Sequence, residues 1–155
     1  MADERLSVDE VLAAIPHREP FRFVDEILEV DDEHIVARTT FRPEADFYRG
    51  HFPGNPITPG VLLIEAMAQT GVVALGIYLV ARERGVEDVR RVLTVFTDVT
   101  AEFSGVVRPG DTVTIRARKV FFRRMKLRAD VEMHKADGSL VATATVAGMG
   151  IEGAA

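Results

Sequence analysis

The ten residues His51-Phe52-Pro53-Gly54-Asn55-Pro56-Ile57-Thr58-Pro59-Gly60, and the apolar run Val61–Ala81 behind them, constrain this chain more than any other stretch. Each proline fixes its own φ and drives the residue before it towards extended backbone, so the stretch is a braced loop and not a helix. The order Thr58-Pro59-Gly60 then reads as N-cap, first helical residue and second, which predicts a long helix over the apolar run. Within that run the strongly polar residues are Glu65 and Gln69, one turn apart. A helix that is apolar all round either crosses a membrane or is wrapped by a sheet. A carboxylate is expensive in lipid, and strand patterns follow the run, so the wrapped reading is the expectation and no membrane span is expected.

The rest of the chain supplies the sheet. Ser7 and Glu10 form a capping box, Leu6 and Val11 have the spacing of a hydrophobic staple, and Pro16 ends this first short helix after Ile15. The segments Phe21–Val30 and Ile35–Phe41 read as two strands joined by a polar turn at Asp31–Glu33. Beyond the long helix, Arg82 and Arg84 lie in its last turn and Gly85 stops it. Four more strands are predicted, Val92–Phe103, Asp111–Phe122, Met125–Lys135 and Leu140–Ile151, with Asp137-Gly138 as a hairpin turn. Leu127, Ala129, Val131 and Met133 alternate with charged residues, so one sheet face is wet. The outcome is an α+β domain in which an antiparallel sheet curls around one helix. The sheet's open edges call for pairing, and a homodimer is expected.

The 155 residues read as a single domain, 1–155. A net charge of −5 argues against nucleic-acid binding. The absence of cysteine removes thiol chemistry, no His/Asp/Glu cluster has the spacing of a metal site, and no cofactor motif is present. The acidic start Met1-Ala2-Asp3-Glu4 has no leader pattern, so a cytoplasmic location is expected.

His51 on the braced loop, Glu65 on the apolar helix and the backbone N–H of Gly60 at the helix start are a base, a proton donor and an oxyanion donor. That set suits proton abstraction beside a carbonyl. Each also has a plainer role. His51 is either a catalytic base or a hydrogen-bonded loop residue, and Glu65 either an acid or a partner for buried backbone or an arginine. Gln69 either orients Glu65 or bonds a strand. His17, His34 and His134 lie in turn or strand contexts and are read as structural.

The segment Tyr48–Gln69 closely resembles the active-site signature of the (3R)-hydroxyacyl-[acyl-carrier-protein] dehydratases of type II fatty-acid synthesis, whose fold is the hotdog. Ile15–Asp25, and Phe103 with Val107-Arg108-Pro109-Gly110-Asp111, resemble two further family motifs in the right order. The resemblance implies that His51 removes the α-proton and that Glu65 protonates the departing hydroxyl. By the same resemblance Gly60, with Val61 beside it, binds the thioester carbonyl, and Gln69 supports the acid. It also implies a dimer with shared active sites, and in many members a trimer of dimers. Glutamate at position 65, where the related dehydratase/isomerases carry aspartate, favours a plain dehydratase. The acyl tunnel is expected to include Phe52, Ile64, Met67, Phe96 and Phe103.

Two departures stand out. Arg22 replaces a residue that is usually apolar, and Thr100–Gly105 holds Glu102 where the family carries bases. Docking of an acidic carrier protein would then draw on Arg116, Arg118, Arg123 and Arg124, in a segment without acids that reads equally as a solvated strand face. A coenzyme A thioester is the other substrate form to consider. The sequence reading is therefore a hotdog dehydratase, with a hotdog thioesterase or a non-catalytic acyl-thioester binding subunit as alternatives.

Overall fold

The computed structural model describes residues 4–153. Helix α1, Val8–Ala14, starts at the predicted capping box: the Ser7 hydroxyl accepts from the Glu10 N–H, and the Glu10 carboxylate from the Ser7 N–H. Leu6 and Val11 both pack on the main core. Six strands follow: β1 (Glu26–Val30), β2 (His34–Thr40), β3 (Val92–Phe103), β4 (Thr112–Arg123), β5 (Lys126–Lys135) and β6 (Leu140–Glu152). They form one sheet in the order β1-β2-β4-β5-β6-β3, antiparallel throughout. The predicted boundaries of β3 to β6 hold to within one residue.

The central helix runs Gly60–Arg84. It is long and apolar enough to cross a bilayer, with a mean hydropathy of 1.7, but 67% of that window is buried inside the domain. The sheet wraps it: Leu127, Ala129, Val131 and Met133 of β5 and Val113, Ile115 and Ala117 of β4 are all buried, in one cluster with Leu63, Met67 and Leu75. The intervening Asp130 and Glu132 face outward.

The helix is not α-helical throughout. Gln69–Ala74 forms a π-helical turn between α-helical Gly60–Ala68 and Leu75–Arg84. At Gly71 in this turn a Cβ would come within 2.9 Å of Val131 and 3.1 Å of Ala117, so the close approach of helix and sheet requires glycine there. Gly85 closes the helix at φ +97°.

Two local expectations are corrected. Phe21–Asp25 is not strand: the backbone of Phe21 and Phe23 is engaged by the Gln69 amide, and β1 starts at Glu26. Thr58 does not cap the helix. Its hydroxyl is bonded to Tyr48 Oη at 2.6 Å and its N–H to the Val107 carbonyl, so Pro59 occupies the N-cap position and the first helical residue is Gly60.

β3 is an edge strand of 12 residues, none fully buried, and Leu93, Val95, Phe96, Val99 and Phe103 are exposed along it. A long apolar edge is a template for another strand.

Gly71→Ala should destabilise the fold. Overpacking against Val131 costs about 1–3 kcal/mol and outweighs the gain in helix propensity of about 1 kcal/mol. Urea titration should show a lower midpoint; an unchanged or higher midpoint would contradict the tight helix–sheet contact.

Candidate active site

Glu65 is the carboxylate of the apolar helix, and its surroundings are built by the chain's own first third. The Gln69 amide, itself fully buried, makes three bonds: Nε2 donates to Glu65 Oε2 (2.8 Å) and to the Phe21 carbonyl (3.0 Å), while Oε1 accepts from the Phe23 N–H (2.8 Å). Both roles considered for Gln69 are therefore filled at once, although the backbone it holds is a loop and not a strand.

Glu65 opens onto a cavity of about 300 Å³, walled by His17, Phe21, Ala68, Thr94 and Phe96 among others. The Glu65 side chain is 17% exposed, and His17 Nε2 stands 3.8 Å from its Oε2. His17 Nδ1 is buried with no hydrogen-bond partner. His17 thus belongs to the site, although sequence reading made it structural. Its segment is pinned by arginines: Arg18 donates to the Ile15 and His17 carbonyls, and Arg22 Nη2 to the Leu12 carbonyl at 2.5 Å. That last bond gives Arg22 a purpose: it adds a second donor to the Leu12 carbonyl, which also accepts the Ile15 N–H at the end of α1.

His51 sits in the braced loop. Its Nδ1 lies 2.8 Å from the Ile57 carbonyl, and the Ile57 N–H in turn donates to the His51 carbonyl at 2.9 Å. A carbonyl only accepts, so Nδ1 carries the proton and Nε2 is left with a free lone pair, the form of a base. Phe52, half exposed, stacks on the imidazole with ring centroids 4.1 Å apart. The His51–Phe52 peptide is cis.

The remaining expected residues separate. Gly60 opens the helix, where its N–H and that of Val61 have no intrahelical acceptor. The Phe103 ring packs on Gly60, 3.3 Å from where a Cβ would stand. Phe96 walls the Glu65 cavity, whereas Met67 is wholly buried in the core and Ile64 does not reach that cavity. His51 is likewise not on the wall of the Glu65 cavity. Arg116 and Arg118 line an open trough on the outer sheet face, opposite Glu132 and Asp130 in the β4–β5 register. The acid-free segment is thus not acid-free in space. Arg123 stacks over Phe121, 4.9 Å from the ring centroid, and Arg124 is in the β4–β5 turn at φ +50°.

A curled antiparallel sheet around a central helix, with a carboxylate and a glycine-led helix start on that helix, defines a hotdog-fold protein. Solved structures agree on the fold: the dehydratase heterocomplex ApeI:P from Xenorhabdus doucetiae superposes with a TM-score of 0.73 at 16% identity, covering 96% of this chain and 93% of that one. Thioesterase HI1161 from Haemophilus influenzae superposes at 0.66 and 15% identity, covering 97% and 94%. The model of the FabA-like domain matches residues 15–147, and the chain belongs to that family. Among curated relatives, the 3-hydroxyacyl-[acyl-carrier-protein] dehydratase FabZ of Chloroflexus aggregans is 41% identical over 121 residues, 77% of this chain and 78% of the relative. The FabZ of Streptococcus pyogenes is 36% identical over 143 residues, 91% and 96%.

Gln69→Ala should lower stability by about 2–4 kcal/mol, because it leaves the buried Phe23 N–H and Phe21 carbonyl unpaired and opens a cavity. A denaturation midpoint within error of wild type would show that these bonds carry little.

Proposed function

We propose that this protein is a dehydratase that converts (3R)-hydroxyacyl-[acyl-carrier-protein] to the trans-2-enoyl thioester and water, with the whole chain forming one dehydratase domain. The observation that carries the reading is the Glu65–Gln69 pair opening onto an apolar cavity, in a chain whose family relatives include named dehydratases of this reaction. In the reaction, His51 Nε2 takes the C2 proton and the C2–H electrons form the C2=C3 bond. The C3–O bond breaks as Glu65 delivers its proton to the leaving oxygen, releasing water. Until the C3–O bond has broken, part of the charge left by the C2 proton is held on the thioester oxygen, and in this reading the Gly60 N–H, with Val61 beside it, binds it. No step calls for a metal or an organic cofactor.

The site is shared between two copies in this reading. His51 is absent from the wall of its own protomer's Glu65 cavity, and the apolar β3 edge offers a surface for a second copy to pair with. Carrier protein is favoured over coenzyme A as the thioester carrier by the family relatives. Arg123 and Arg124 at the β4–β5 tip are better placed for an acidic carrier than Arg116 and Arg118, which face acids. A cytoplasmic homodimer, with further association into a trimer of dimers, is part of the same proposal.

Enoyl-thioester hydration, followed by loss of absorbance of the conjugated enoyl group, tests the chemistry. His51→Ala and Glu65→Gln should each lower kcat by at least about 100-fold, with little change in unfolding midpoint. Hydrolysis to free thiol without hydration would instead make the protein a thioesterase, and a thioester bound but not turned over at any length would make it a binding subunit.

Sharing has its own test. His51→Ala and Glu65→Ala chains, each inactive, are mixed, unfolded and refolded together. A shared site restores activity, because half of the sites in a mixed dimer receive both intact residues. Continued inactivity would place both groups in one protomer.

A further inference from the structure

Among the described residues the wall of the Glu65 cavity holds two titratable groups, Glu65 and His17, and the reaction proposed above uses only the first. The imidazole of the second is held firmly. Its turn is closed by the Phe21 N–H, which donates to the Arg18 carbonyl at 2.8 Å, and the Arg18 guanidinium donates back to the His17 carbonyl at 2.9 Å. The Phe21 ring stacks on the imidazole, with centroids 6.4 Å apart and planes 26° apart, and the Phe21 carbonyl is fastened to the helix by Gln69. The amide that bonds Glu65 thus also holds the segment that presents His17 to it.

The surroundings of the ring decide which nitrogen carries its proton. Nδ1 is shut away from solvent with no hydrogen-bond partner among the described residues, so a proton there would be a buried donor without an acceptor. Nε2 lies towards the cavity, with the carboxylate oxygen Glu65 Oε2 as its neighbour. In the neutral ring the proton therefore belongs on Nε2, and His17 is a donor aimed at the cavity. His51 is the opposite tautomer, with Nδ1 protonated against the Ile57 carbonyl. The two histidines are fitted to opposite tasks, one to take a proton and one to offer a hydrogen bond.

The 3.8 Å between His17 Nε2 and Glu65 Oε2 is too long for a direct hydrogen bond. It is short enough for one oxygen atom to bond to both, each such bond being about 2.9 Å. We infer that this place belongs to the C3 oxygen of the substrate, and that the His17 Nε2–H donates a hydrogen bond to it. The inference rests on the dehydratase reading and adds a second catalytic group at the leaving oxygen. That oxygen has two lone pairs: His17 occupies one, and the Glu65 proton enters the other. As the C3–O bond breaks, its electrons pass to the oxygen, and a donor already in place stabilises the gathering charge. His17 keeps its proton throughout, and the proton that turns the hydroxyl into water comes from Glu65 alone. In hydration the same pair holds the water, whose oxygen adds to C3 as a proton passes to Glu65.

The test replaces the ring by side chains with and without the donor. His17→Phe keeps a flat ring and has no N–H; His17→Gln restores an NH₂ group near the place of Nε2. In enoyl-thioester hydration His17→Phe should lose at least about tenfold in kcat. Its KM should stay within about threefold, because the enoyl substrate has no C3 oxygen to hold. His17→Gln should recover most of the lost rate, and both variants should unfold at the wild-type midpoint. A wild-type rate in His17→Phe overturns the inference, and so do equal losses in the two variants, the result of a ring that only packs. Nitrogen NMR of the labelled His17 ring in mildly alkaline buffer needs no substitution. It should show the proton on Nε2; a proton on Nδ1 overturns the donor.

Binding separates this inference from the reaction on which it rests. In a His51→Ala background, which cannot take the C2 proton, calorimetry compares a (3R)-hydroxybutyryl thioester with the butyryl thioester. The hydroxyl should tighten binding by at least about fivefold, and adding His17→Phe should abolish the difference. If the wild type hydrates no enoyl thioester while the hydroxyl preference depends on His17, the dehydratase chemistry is overturned and the hydroxyl site stands. If hydration is normal and the preference survives in His17→Phe, the role of His17 is overturned alone. Neither hydration nor a His17-dependent preference would overturn both.

Discussion

One buried amide holds the site together. Gln69 has no contact with solvent, so each of its polar atoms must be satisfied inside the protein, and all of them are. Its partners come from two places far apart in sequence: the carboxylate one turn earlier on the helix, and the backbone of Phe21 and Phe23 that leads into β1. The polar residue that looks costly on an apolar helix is the point at which the N-terminal segment is fastened to the core. His17 and Phe21 reach the wall of the Glu65 cavity because of that fastening.

The helix–sheet contact sets the second constraint. Gly71 lets the π-helical turn press against β4 and β5, and Gly148 lets β6 press against the same turn. π-Helical turns recur at functional sites, and this one begins at the residue bonded to the Glu65 carboxylate and contains Val72 and Val73, which wall the Glu65 cavity. The same six-residue turn therefore meets the sheet and forms part of the cavity wall.

Much of this was legible in the sequence. Local signals carried the elements: the Ser7–Glu10 capping box, the apolar alternation of β5, Gly85 at the helix end. The π-helical turn was not legible, because a segment apolar on every side has no face whose period could reveal a change of pitch. Thr58 looked like a cap because the residue pattern fits, but Tyr48 takes its hydroxyl from the other side of the loop. Phe21–Val30 looked like one strand because its composition is right; a side chain on the helix, invisible to local pattern, claims its first part. His17 was passed over for the same reason, since its link to Glu65 is made only by folding. The arginine segment is free of acids only along the chain, because β5 sets Glu132 and Asp130 opposite Arg116 and Arg118, a pairing that local sequence does not display.

The orientation of the Gln69 amide also decides something about the carboxyl group it touches. The Phe23 N–H can only donate and the Phe21 carbonyl can only accept, so the amide cannot be flipped: its oxygen faces Phe23 and its NH₂ faces Phe21 and Glu65. An NH₂ group offers hydrogens alone. Glu65 Oε2 therefore presents a lone pair to the amide, and Oε1 is the oxygen that the amide leaves alone. The two oxygens of one carboxylate are thereby made inequivalent, one anchored to the amide and the other not.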